Sequence, residues 1–139
     1  MARILYHNNP TAASGVIEVI NLISKFLPSW AHTLNVVFQE ESEDNAIIAN
    51  IECMSEYRSV TVYIFPRMLL LSTEEQYLHL IHEMVHVLIW DITKEHTDIV
   101  SVIEKKGGYT DYMKSVFESR VEGCTQDIAE LFNKIKFLI

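Results

Sequence analysis

Residues 77–90 read as an apolar helix that carries His82 and His86 four positions apart, with Glu83 directly after the first histidine. No other feature constrains the chain as strongly. Positions i and i+4 of a helix project from one face, one turn apart. Two imidazoles placed that way can each turn a ring nitrogen toward one ion at the ~2.0–2.1 Å that zinc requires. Glu83 then stands beside the open coordination position, where a carboxylate can take a proton from an activated water. A catalytic zinc uses three protein ligands and one open position, so a third ligand has to come from elsewhere in the fold.

The third ligand is sought downstream. An extended pattern H-E-x-x-H-x-x-G-x-x-H needs Gly at 89 and His at 92, and the chain has Ile89 and Ile92. His96 is present but displaced, and Asp111 after Gly107-Gly108 is a weak match. Glu118 and Glu122 lie four apart on one face of the last helical stretch. Glu122 is the expected ligand. It adjoins Val121 of an apolar stripe, where a carboxylate is costly to desolvate unless something such as a zinc ion pairs with it. Gly123 beside it costs ~1 kcal/mol relative to Ala in mid-helix, which predicts a close approach of two helices there. Glu118 is then the expected acceptor for a ligand imidazole N–H, although the spacing leaves the two roles exchangeable.

The rest of the chain frames this site. A helix is expected over 11–27, started by Asn9-Pro10-Thr11 and stopped by Pro28. Strands are expected over 32–39, 46–54 and 59–65, from β-branched and alternating patterns. Their short links, one of them the acidic turn 40–45, suit antiparallel neighbours. Ser72 and Glu75 have capping-box spacing at the head of the motif helix. Further helices are expected over 97–106, stopped by Gly107-Gly108, and over 110–136. The last presents Val116/Phe117, Val121, Cys124, Ile128, Leu131 and Ile135 as its apolar stripe. The expected fold is α+β: an N-terminal helix, a small three-stranded, largely antiparallel sheet, the motif helix, and a C-terminal helix carrying the third ligand.

Length and composition limit the alternatives. The 139 residues suit one domain, 1–139, with a single core. A net charge of −8 with no basic stripe argues against nucleic acid and anionic membranes as partners. No apolar run approaches a membrane span, and the N-terminus lacks the apolar core of a signal peptide, so a cytoplasmic location is expected. Cys53 and Cys124 fall in apolar-patterned segments and are expected as buried free thiols. Oligomeric state is left open.

With these residues in view, the chain resembles the small gluzincin-type zincins, minimal zinc metallopeptidase-like domains often encoded by phages and mobile elements. The resemblance rests on the strand pair, the strand 59–65 ending at Pro66, the capped helix with His82-Glu83-Met84-Val85-His86, and the later helix with Glu122. It covers roughly 28–132. The later helix of that family reads Glu-x-x-small-Asn/Asp-x-apolar-Ala. Here Glu122, Ile128 and Ala129 keep the pattern, while Gln126 stands at the Asn/Asp position and Asp127 comes one residue late. The resemblance implies zinc-dependent hydrolysis of a peptide or protein substrate. Zn²⁺ would sit on His82, His86 and Glu122, with Glu83 as general base and Tyr109, Tyr112 or His96 as donor to the developing oxyanion. The strand 59–65 is expected to offer an open edge to an extended peptide. The alternative is a catalytically silent zincin-fold binding or regulatory module that keeps its zinc, and behind it a metal-free helical protein.

Overall fold

The computed structural model describes residues 2–10, 13–40, 47–105 and 111–135. Strand β1 (Arg3–His7) is followed by helix α1 (Ser14–Ile23), a 3-10 turn at Ser24–Phe26, and strands β2 (Thr33–Phe38), β3 (Ala49–Met54) and β4 (Ser59–Ile64). Helices α2 (Thr73–Leu88), α3 (Trp90–Lys105) and α4 (Asp111–Ile135) complete the chain. The helix start at Thr11, most of the acidic link and the Gly107-Gly108 stop lie outside the described residues.

The α+β expectation holds, but the sheet differs. It is four-stranded and mixed among the described residues, in the order β1-β2-β4-β3. β1 pairs parallel with β2, β2 parallel with β4, and β3 antiparallel with β4. Only the β3–β4 pair is the expected antiparallel neighbour. Burial explains the order. In β2, Leu34, Val36 and Phe38 are buried, and in β4 so are Val60, Val62 and Ile64, so both strands need cover on both flanks. β3 alternates only between half-buried and exposed positions, which suits an edge. Among the described residues the edges are therefore β1 and β3, whereas the sequence pointed to the strand that is now the interior β4. β1 escapes sequence reading because it is five residues long with polar ends. Its partner arrives only after the crossover through α1, as parallel pairing demands.

One face of the sheet carries the core, with α1 and α2 laid against it. Helix α2 starts where Ser72 accepts a hydrogen bond from the Glu75 N–H at 3.2 Å, as the capping-box spacing predicts. Its buried residues Gln76/Tyr77, Leu80/Ile81, Met84/Val85 and Val87 recur every turn. Gln76 lies in that buried stripe and donates to the carbonyls of Met68 (3.0 Å) and Leu71 (3.3 Å), tying the incoming loop to the helix. His82, Glu83 and His86 fall on the flank of the stripe, half-buried between core and solvent.

Helix α4 packs on that flank of α2. Its apolar stripe is rotated from the one expected. Thr125 and Ala129 are fully buried, Ile128 and Phe132 pack at the margin, and Cys124 and Leu131 are exposed. Small side chains at 125 and 129 let the two helices approach, and the Thr125 hydroxyl is satisfied by the Val121 carbonyl at 2.7 Å. The close approach expected at Gly123 is absent: a Cβ there would meet open space. α3 begins at Trp90, seven residues earlier than expected, because Ile89 interrupts α2 for a single residue only.

Candidate metal centre

The rotation of α4 brings Glu122 over the two histidines of α2. His82 Nε2 lies 3.3 Å from Glu122 Oε2, and His86 Nε2 lies 3.0 Å from Glu122 Oε1. The imidazole rings stand edge to face, 5.0 Å apart. The three ligand atoms all fall within 4.8 Å of one another, and no other such group exists among the described residues. Ligands at ~2.0–2.1 Å around a tetrahedral zinc are separated by about 3.3 Å, and the two histidine–Glu122 distances, which end on different carboxylate oxygens, are near that value. Two imidazoles and one carboxylate form a His₂Glu donor set, one of the sets that leave zinc an open position. These residues could hold the ion.

Electrostatics suit the same use. Burial lowers the pKa of His86, with His82 acting in the same sense and Glu122 against it. The net effect favours the neutral ring, the form that donates a lone pair. Burial also raises Glu83, from 4.5 to about 7, and the nearby Glu122 carboxylate adds to the shift.

A cavity of about 330 Å³ opens at the cluster. α2 contributes His82, Glu83 and His86, α4 contributes Glu122, β3 forms a wall with Asn50, Ile51 and Cys53, and α3 closes the side with Trp90 and Thr93. The indole N–H of Trp90 is buried and has no partner among the described residues. The thiol of Cys53 is pushed up to about 11, by burial first and then by Glu52.

Not every expected residue reaches the site. Glu118 is exposed and lines a different cavity, between α3 and α4, with His96, Lys114 and Phe117. The position expected of it is taken by Gln126: its Oε1 lies 2.9 Å from His82 Nδ1. One turn separates Glu122 from Gln126, so the i+4 spacing that singled out Glu118 also pointed, in the other direction, to Gln126. His96 stacks on Phe117 with ring centroids 3.3 Å apart and does not line the cavity at His82, His86 and Glu122. Tyr109 lies outside the described residues, as does the side chain of Tyr112. The wall from β3 went unnoticed in the sequence, where Asn50, Ile51 and Cys53 show only the alternation of a strand.

No protein-family model, curated protein or solved structure matches this chain. No helix among the described residues is long and apolar enough to cross a membrane.

Proposed function

We propose that the chain is a zinc-dependent peptidase of the small zincin kind, with Zn²⁺ held by His82, His86 and Glu122. The observation that carries this reading is the shared cavity. Glu83 opens onto the same space as the three clustered ligand atoms.

When bound, zinc supplies a Lewis acid that lowers the pKa of a coordinated water toward ~7 and polarises a carbonyl. Glu83 takes the proton from the attacking water and delivers it to the nitrogen of the departing amine. β3 pairs only with β4 among the described residues, so its outer edge can align an extended peptide through main-chain hydrogen bonds. Ile51 and Cys53 give that wall of the cavity apolar surface beside the Asn50 amide. The candidate donors to the developing oxyanion are Tyr109, Tyr112 and His96, of which His96 stacks on Phe117 and lines the neighbouring cavity.

The test compares wild type with Glu83→Gln for bound zinc, by elemental mass spectrometry, and for cleavage of unfolded casein and a mixed peptide library. The expected result is one zinc per chain in both proteins and cleavage by wild type alone. Zinc uptake by neither protein refutes the metal centre. Equal cleavage by both refutes the role of Glu83. One zinc in each and cleavage by neither supports the second reading, a silent zincin-fold binding module.

A further inference from the structure

Gln126 occupies the position beside His82 where an ionised carboxylate would accept the ring N–H without ambiguity. An amide is ambiguous, since its oxygen accepts and its nitrogen donates. Turned one way it leaves the far ring nitrogen of His82 free to bind a metal. Turned the other way it puts an N–H against Nδ1 and drives the hydrogen to Nε2, which blocks coordination.

Glu130 removes that ambiguity. Gln126 Nε2 lies 3.1 Å from Glu130 Oε1, one helical turn further along α4. An ionised carboxylate only accepts, so the amide NH₂ has to face it. The planar amide then directs Oε1 to His82 Nδ1 at 2.9 Å. An oxygen there can only accept, so Nδ1 carries the hydrogen. Nε2, the nitrogen that faces Glu122, then keeps its lone pair in the neutral ring.

On the reading that His82, His86 and Glu122 hold a metal, we propose that Gln126 and Glu130 act in series as positioning residues, selecting the metal-binding tautomer of His82. Glu130 acts only through Gln126. A plain surface pair at i, i+4 would steady the helix slightly and leave metal affinity unchanged. A carboxylate acting by charge alone would raise affinity whether or not Gln126 were present. The two residues therefore have to show coupling.

The experiment is a zinc titration of the full chain in competition with a chromophoric chelator, using wild type, Gln126→Leu, Glu130→Ala, the double variant and Glu130→Asp. Losing a direct partner of a ligand imidazole typically weakens metal binding by about ten- to a hundredfold, and that is expected for Gln126→Leu. Glu130→Ala is expected to weaken it about threefold or more, and Glu130→Asp, which keeps an acceptor at i+4, to restore most of the loss. The double variant is expected to bind no more weakly than Gln126→Leu alone. Thermal melts of the chelated proteins check folding. Glu130 is exposed, so its two variants are informative even if Gln126→Leu does not fold. Wild-type affinity in Glu130→Ala overturns the inference, as does a double variant that loses the full product of the two single effects. Failure of wild type to take up zinc overturns the metal-binding reading and this inference together, and that outcome is distinct from the others.

Discussion

Replacing Glu83 by Gln should stabilise the metal-free protein, and the gain should depend on pH. Glu83 is an acid whose folded pKa, about 7, lies above the ordinary 4.5 because burial and Glu122 disfavour its charge. The folded state therefore holds this proton more tightly than the unfolded chain. Stability from this group is complete below pH 4.5 and is lost as pH rises through 7. The raised pKa corresponds to about 3 kcal/mol at pH 8, and to under about 1 kcal/mol at pH 5. Gln keeps the size and polarity of the protonated acid without its ionisation, so the difference between the two pH values isolates the charge. The assay is urea unfolding of wild type and Glu83→Gln in the presence of a chelator at pH 5 and pH 8. At roughly 1–3 kcal/mol per molar urea, the variant midpoint should exceed wild type by about 1–3 M at pH 8 and by much less at pH 5. A variant less stable than wild type at pH 8, or a gain equal at both pH values, refutes the reasoning. The expected gain has a simple cause, since a half-buried carboxylate that must ionise at pH 8 weakens the fold that holds it.

Other perturbations test the site from different sides. Zinc at a hundred times its dissociation constant should stabilise wild type by about 2.7 kcal/mol, a rise of roughly 5–10 °C in melting temperature, while His86→Ala and Glu122→Ala should show no rise. A thiol pKa of about 11 instead of 9 leaves Cys53 with about a hundredfold less thiolate at pH 8. Iodoacetamide should therefore label the exposed Cys124 well before Cys53, as peptide mapping would reveal; equal rates would contradict the burial of Cys53. Ala129→Leu should cost about 1–3 kcal/mol, because Ala129 is fully buried where α4 meets α2. It should also weaken zinc uptake by displacing Glu122, and a variant with wild-type stability in urea would show that the helices do not pack as described.

Local chemistry is written in consecutive residues. The cap at Ser72, the apolar stripe of α2 and the four-residue spacing of His82 and His86 each depend on neighbours within a turn or two, so the sequence alone could determine them. The β3–β4 hairpin is legible for the same reason, its link being short. Long-range matters were not. The parallel pairing of β1, β2 and β4 depends on a crossover through α1 and on which strands can be covered on both flanks. That put β3, rather than β4, at the edge beside the cavity. Which of Glu118 and Glu122 faces the two histidines turned on the rotation of α4 about its axis. Thr125 and Ala129 decide that rotation by being small enough to pack on α2, although neither looks like a core residue in sequence. Gln126 became the partner of His82 by the same rotation. Spacing along a helix states which side chains travel together, and only the packing of one helix on another states where they arrive.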